Sequence, residues 1–149
     1  SQLDPLARES LKEINCDYDH GTGHGIGSFL SVHEGPQRIS KTQSQSEGFI
    51  KEGMILSNEP GYYKEGEYGI RIENLIICCI KHPKDPNILH FETISWAPIE
   101  KSLIEVSMLD DSELKWLNNY HQKVYEKLSP NLNSEEREWL KSITSSLQK

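Results

Sequence analysis

Apolar side chains recur at helical spacing near both ends of the chain. The segments with an apolar residue every three or four positions are residues 3–14, 110–128 and 133–147. This spacing predicts amphipathic helices. Asp4 before Pro5 is typical of a helix start, with the aspartate as N-cap and the proline in the first turn. Asn133 and Glu136 are spaced as in a capping box and predict where the last helix begins.

Between these helices the apolar residues form short runs that predict strands. The predicted strands begin at residue 54 and span 70–80 and 88–96, and the predicted loops are 37–48, 64–69 and 82–87. Residues 20–27 have glycine at every second position, and each glycine costs a helix about 1 kcal/mol relative to alanine, so extended structure is favoured. A strand-rich part followed by a helical part predicts an α+β fold.

The acidic balance of the chain excludes one class of partner. Lys plus Arg number 16 and Asp plus Glu number 23, which gives a net charge of −7. Binding to a phosphate backbone needs clustered basic side chains, and the sequence has no basic run. No apolar stretch approaches the ~20 residues of a membrane helix, and the first residues lack the pattern of a leader. We therefore expect neither nucleic acid nor a membrane as a partner.

The three cysteines, Cys16, Cys78 and Cys79, do not have the spacing of a disulfide framework. The adjacent pair lies in an apolar run, and we interpret both residues as small buried side chains. This use of cysteine fits a reducing compartment, so we expect a cytoplasmic protein.

Three of the six histidines, His20, His24 and His33, lie close together in the sequence. On a helix, the first two would share one face, as in zinc proteases. In an extended segment four residues span about 13 Å, so a single ion would bind at most one of these two rings. The neighbouring glycines let a ligand approach the backbone closely. The alternative is a glycine-rich loop with solvated histidines.

Glu59 and Glu73 form the second candidate feature. A hairpin folded symmetrically about Gly66 places these two carboxylates directly opposite each other. Like charges in that position are unfavourable, so a shared proton, Arg71 or a metal ion must offset them. A charge within such an apolar run is expected to be at least half buried. The alternative is that Arg71 merely pairs with one of the carboxylates.

One imidazole and two carboxylates suit a hard or borderline cation such as Mn²⁺, Co²⁺ or Zn²⁺. A centre that holds two ions ~3.5–4 Å apart needs more oxygen ligands than these. Asp17 and Asp19 flank the histidine segment, but neither has suitable surroundings in the sequence. We interpret the constellation as part of a metal site.

Four motifs in order resemble the Xaa-Pro aminopeptidase (aminopeptidase P) family of pita-bread metallopeptidases. They are residues 20–27 (HGTGHGIG), 32–36 (VHEGP), 58–63 (NEPGYY) and 69–74 (GIRIEN). Each motif alone is weak, but four in sequence are highly specific. Residues 116–121 also resemble the tail of the longer, cytosolic-type members.

The resemblance implies a role for each candidate residue. His24 and Glu59 would ligate one metal ion, and Glu73 would bridge two ions. His33 and His20 would lie beside the substrate, and Arg71 would orient Glu73. The implied cofactor is a pair of divalent ions, with manganese preferred over cobalt or zinc. The implied substrate is a peptide with proline at its second position, and the implied fold is a curved antiparallel sheet with helices on its convex side.

The same resemblance implies that part of the catalytic machinery is missing. Two aspartate ligands and a further catalytic histidine of the family belong to a first half of the catalytic domain that this sequence lacks. Residues 1–100 would form the C-terminal part of that domain, and residues 101–149 a helical extension. We expect the chain alone to be inactive, with a partial or empty metal site. We also expect it to associate or to be marginally stable, and the full-length enzyme to be a homodimer.

Two alternatives stay open from the sequence. The first is a pita-bread domain without metals that binds peptides or proteins, and the second is a prolidase-like dipeptidase. Retention of His24, Glu59 and Glu73 favours an enzyme, and the resemblance of residues 116–121 favours an aminopeptidase.

Overall fold

The computed structural model describes residues 2–42 and 48–149. The chain divides into two compact units, Ser1–Ser95 and Trp96–Lys149. The assignment of residues 1–100 to the catalytic domain and of residues 101–149 to a helical extension stays a prediction. No helix in the described part of the chain is long and apolar enough to cross a membrane.

The first unit contains one helix and seven strands within the described residues. They are α1 (Asp4–Glu13), β1 (Gly23–His24), β2 (Arg38–Ile39), β3 (Ile55–Asn58), β4 (Gly61–Lys64), β5 (Tyr68–Arg71), β6 (Asn74–His82) and β7 (Asp85–Thr93). The strands form antiparallel sheets in the orders β1-β2, β3-β6-β7 and β4-β5. A core of buried residues joins Ile39 of β2 to Leu56 of β3 and Ile76 of β6.

The hairpin predicted about Gly66 is confirmed. Gly61 pairs with Arg71 in the β4-β5 sheet, and Asn58 pairs with Asn74 in the β3-β6 ladder, so one register continues through both pairs of strands. Gly66 has φ +74°, a conformation that L side chains rarely adopt and that the turn requires.

The prediction of one strand over 70–80 is wrong. β5 ends at Arg71 and β6 begins at Asn74, because β5 pairs with β4 whereas β6 pairs with β3 and β7. The predicted loop over 82–87 is also wrong, since β7 already begins at Asp85, which pairs with His82. The predicted loop over 37–48 contains β2, and its residues 43–47 lie outside the described residues.

The side chain of Arg8 in helix α1 is fully buried and holds the helix in place through hydrogen bonds. The predicted N-cap role of Asp4 is wrong, because Leu3 occupies that position without a side-chain hydrogen bond. Asp4 instead turns inward and accepts hydrogen bonds from Arg8 (2.7 and 3.2 Å) and from Thr22 (2.8 Å). Arg8 also donates to Asp17 and to the carbonyl oxygen of His20, each at 2.7 Å. This network ties the helix to the segment that carries the histidines.

The second unit contains two long helices, α2 (Asp111–Leu128) and α3 (Ser134–Ile143). Both predicted helices are confirmed, although α3 ends before residue 147. The predicted capping box of Asn133 and Glu136 is present, and Asp110 with Glu113 forms another at the start of α2. The core of this unit is centred on Tyr120, Val124 and Leu140.

All three cysteines are free thiols. Cys78 is buried in β6 as predicted, and burial raises the pKa of its thiol above the ordinary value. Cys79 is only half-buried, on the opposite face of the strand.

Candidate metal and peptide site

The histidine segment is extended and lies between two strands. Gly23–His24 pairs with Arg38–Ile39 on one side, and Gly25 forms a bridge to Leu56 on the other. A Cβ atom at position 23 would overlap the carbonyl oxygen of Ser57. Only glycine permits this approach, which brings the backbone of His24 against β3.

His24 and Glu59 meet in this position. The Nε2 atom of His24 lies 3.0 Å from Oε1 of Glu59, whose side chain is about nine-tenths buried. Nδ1 of the same ring lies 2.9 Å from the carbonyl oxygen of Gly25. Since a carbonyl only accepts, Nδ1 carries a proton and Nε2 of a neutral ring presents a lone pair. A lone pair facing a carboxylate requires a proton or a cation between them.

This donor set is chemically suited to a divalent metal. Metal-ligating histidines usually donate their second ring N–H to a carbonyl or carboxylate, which fixes the tautomer and the ring orientation. His24 has that arrangement, and Glu59 supplies an oxygen ligand beside it. The two side chains fit one edge of a coordination shell for a borderline cation.

His33 lies beside this pair, with its ring centroid 4.1 Å from that of His24. Both rings line a cavity of about 500 Å³. Five of the six predicted site residues line it together: His20, His24, His33, Glu59 and Arg71. The structure therefore brings residues from all four motifs to one concave surface.

Tyr63 links two of the residues that line the cavity, Arg71 and His20. Nε of Arg71 donates to the hydroxyl oxygen of Tyr63 at 2.8 Å, and the same hydroxyl lies 2.8 Å from Nε2 of His20. Nδ1 of His20 is 2.8 Å from the carbonyl oxygen of Gly21, so that nitrogen carries the ring proton. The hydroxyl of Tyr63 consequently donates to His20, and the order of donation runs from Arg71 through Tyr63 to His20.

Arg71 also offsets the negative charge at this end of the site. Its NH1 atom lies 3.6 Å from Oε2 of Glu59. The hydrogen bond to Tyr63 and the nearby charges of Glu59 and Glu73 raise the pKa of Arg71 above its ordinary value, against an opposing effect of desolvation. The side chain is 44% exposed, so water screens this pairing.

Glu73 does not join the other predicted ligands. Its side chain is exposed, and it does not line the cavity. The expectation that this carboxylate is at least half buried is wrong, because the residue lies in the gap where the chain passes from β5 to β6. In residues 2–42 and 48–149 no group of three His, Cys, Asp or Glu side chains is arranged to hold a metal ion. Only His24 and Glu59 of the three predicted ligands are in contact.

Two sequence profiles match nearly the whole chain. That of metallopeptidase family M24 matches residues 1–78, and that of the C-terminal region of peptidase M24 matches residues 87–147. The chain belongs to metallopeptidase family M24.

The M24 chain is similar to aminopeptidases P from distant organisms. A probable Xaa-Pro aminopeptidase P from Coprinopsis cinerea is 49% identical over 150 residues, which are 95% of this chain and 24% of the relative. Aminopeptidase P2 from Arabidopsis thaliana is 46% identical over 154 residues, which are 99% of this chain and 21% of the relative. This chain thus spans about a quarter or less of the length of these curated relatives.

A solved structure has the same fold. The X-prolyl aminopeptidase from Caenorhabditis elegans, described as a cytosolic enzyme with a di-nuclear active site, superposes with a TM-score of 0.87 at 36% identity. The match covers 98% of this chain and 24% of that one. The α+β fold and the family that the four motifs predicted are both confirmed.

Sequence reasoning missed two residues that contact the predicted site residues, Ser57 and Tyr63. Tyr63 stands inside the NEPGYY motif, and its position opposite Gly69 in the predicted hairpin was the available signal. Ser57 stands two residues before Glu59, on the same face of an extended chain, and nothing else in the sequence singled it out.

Proposed function

We propose that this chain is part of a metal-dependent aminopeptidase that hydrolyses the bond between an N-terminal residue and a following proline. The observation that carries the proposal is the contact of His24 with Glu59 in a cavity that also collects His20, His33 and Arg71. The similarity to aminopeptidases P over 95–99% of the chain supports the substrate class. The isolated chain would be inactive, since it supplies only part of a coordination shell.

His24 and Glu59 would hold one divalent ion, and Glu73 would reach a second ion once its side chain turns toward the cavity. Bound ions of this kind polarise the scissile carbonyl as Lewis acids and generate a nucleophile from water at neutral pH. The chain's own groups would act around them. His33 would contact the peptide beside His24, and the Arg71–Tyr63–His20 series would present a fixed donor and acceptor pattern to it.

Three finer features also belong to the proposal. The ions would be manganese, with cobalt or zinc as alternatives, because imidazole and carboxylate ligands admit each of them. The full-length protein would be a cytoplasmic homodimer. The exposed tryptophans of the second unit, Trp116 (54%) and Trp139 (60%), support its use as a dimer surface.

The two alternatives are less well supported. The match to an Xaa-Pro dipeptidase from Bacillus anthracis covers 66% of this chain with a TM-score of 0.50, against 98% and 0.87 for the X-prolyl aminopeptidase. A binding module without metals would have no need to keep His24 and Glu59 in the donor arrangement of a metal site.

Cleavage of an Xaa-Pro tripeptide with added Mn²⁺ tests the proposal. We expect turnover by the full-length protein, none by residues 1–149 alone, and loss of at least 100-fold in the full-length Glu59→Gln variant. Glu67→Gln is the matched control, because Glu67 is an exposed glutamate that forms an ion pair with Lys64 at 2.8 Å and does not line the cavity. Robust turnover by the isolated chain, or full activity of Glu59→Gln, would contradict it.

A further inference from the structure

The hydroxyl group of Ser57 lies between the two candidate metal ligands. Ser57 is fully buried on β3. Its Oγ atom accepts the backbone N–H of His24 at 3.0 Å and lies 2.9 Å from Oε1 of Glu59. One side chain thus contacts both residues that would hold the ion.

The direction of both hydrogen bonds is fixed by the number of protons. A serine hydroxyl has one proton and two acceptor lone pairs. Because the N–H of His24 can only donate, it uses a lone pair of Ser57. The carboxylate of Glu59 accepts, so the single hydroxyl proton goes to Oε1. Bonds to an ionised acceptor are stronger than neutral ones, which holds this oxygen in place.

The backbone around Ser57 leaves the hydroxyl little freedom. Ser57 pairs with Leu75 in the β3-β6 ladder, and its carbonyl oxygen is the atom that a Cβ at position 23 would strike. The N–H of Glu59 donates to the carbonyl oxygen of Thr22 at 2.8 Å. Besides the direct contact of His24 with Glu59, the histidine segment and the glutamate are therefore joined through the backbone at Thr22 and through the side chain of Ser57.

We propose that Ser57 is a positioning residue, which holds Oε1 of Glu59 and the backbone of His24 in the relative placement that a metal ion needs. The inferred effect on the metal-free chain rests on the hydrogen bonds alone. The inferred effect on metal binding rests on the proposed function. Removal of a group that supports a metal ligand in this way typically weakens metal binding 10–100-fold.

Ser57→Ala and Ser57→Thr in the 149-residue chain test the proposal with two readouts. Amide hydrogen exchange measured by NMR should be at least tenfold faster at His24 in Ser57→Ala, because its N–H loses its acceptor. The exchange rate of Gly25, whose N–H donates to Gln37, should stay unchanged. Mn²⁺ binding, measured from the electron spin resonance signal of free Mn²⁺, should weaken 10–100-fold. Ser57→Thr keeps the hydroxyl and should restore both.

Ser95→Ala is the matched control. The hydroxyl of Ser95 also accepts a backbone N–H, that of Leu75 at 2.7 Å, but it contacts neither candidate ligand. Unchanged exchange at His24 in Ser57→Ala would overturn the proposal, and so would an equal loss of Mn²⁺ binding in Ser95→Ala. If Ser57→Ala does not fold, Ser57→Cys keeps the size and weakens both hydrogen bonds, with the same expectation. Absence of Mn²⁺ binding by the wild-type 149-residue chain would fit the empty site expected of the isolated chain, and the exchange rates would then decide the role of Ser57 by themselves.

Discussion

Replacement of Arg8 by methionine should destabilise the first unit strongly. The guanidinium group is fully buried and donates to Asp4, Asp17 and two backbone carbonyls, while it also stacks on the ring of Tyr18 at 3.7 Å. Methionine keeps much of the volume but none of the donors. The carboxylate of Asp4, only 2% exposed, would then keep Thr22 as its remaining side-chain partner.

The size of the effect follows from the burial of this pair. Removal of one partner of a buried ion pair costs about 3–5 kcal/mol, since the other charge is left uncompensated. A unit the size of Ser1–Ser95 has a free energy of unfolding of about 5–14 kcal/mol at the usual value per residue. Arg8→Met should therefore lower the melting temperature by roughly 12–40 °C.

The pH dependence of the loss identifies its cause. Burial alone would raise the pKa of Asp4, but hydrogen bonds from Arg8 and Thr22 outweigh it and hold this pKa below the ordinary value of 3.8. The wild-type pair thus contributes stability above pH 3.8 that is lost as the pH falls through the lowered pKa. In Arg8→Met, protonation of Asp4 removes the unpaired charge. The difference between the two proteins should be largest near pH 7 and should shrink on acidification.

Urea denaturation followed by circular dichroism at pH 7 and pH 4 measures both quantities. Lys12→Met is the control, because Lys12 is an exposed cation on the same helix, and it should change the free energy of unfolding by no more than about 0.5 kcal/mol. Arg8→Met combined with Asp4→Leu should recover part of the loss. An unfolding midpoint of Arg8→Met like that of Lys12→Met, or a deficit that grows on acidification, would refute the reasoning.

Three further predictions concern other parts of the chain. Gly23→Ala should disrupt the pairing of β1 and weaken or abolish Mn²⁺ binding, because the added Cβ atom would meet the carbonyl oxygen of Ser57. Backbone NMR chemical shifts check this prediction. The second unit should lose stability as the pH falls below 6.5, because desolvation and the charge of Lys101 lower the pKa of buried His121, and His121→Phe should flatten a denaturation series from pH 7.5 to 5. Asn133→Ala should cost about 1 kcal/mol through loss of the capping box, measured by thermal unfolding.

Local signals in the sequence predicted much of the fold correctly. The capping box at Asn133 and the helical spacing over 110–128 specify helices through contacts between near neighbours, and both helices are present. The turn at Gly66 predicted the register from Asn58 to Asn74 in the same way, since the place of the turn sets which residues face each other.

Long-range pairing explains the errors. The apolar run over 70–80 is interrupted at Glu73 and Asn74, where the chain exchanges one partner strand for another. The apolar pattern alone does not reveal this exchange, which leaves Glu73 exposed. Asp4 had the sequence of an N-cap, but a buried arginine one helical turn later used its carboxylate instead. The role of Ser57 depends on its hydrogen bond to the backbone of His24, and that of Tyr63 on its contact with His20. Both contacts join segments far apart in the sequence, which a single sequence does not show.

Paramagnetic broadening by Mn²⁺ tests the central claim most directly. Histidine ring signals of the 149-residue chain would be recorded by NMR while Mn²⁺ is added in small steps. The account predicts that His24 and His33 broaden first, that buried His121 does not, and that Glu59→Gln abolishes the selectivity. Broadening that begins at His90, whose ring lies 3.1 Å from Glu92, or that ignores the Glu59→Gln change, would contradict the assignment of this cavity as a metal site.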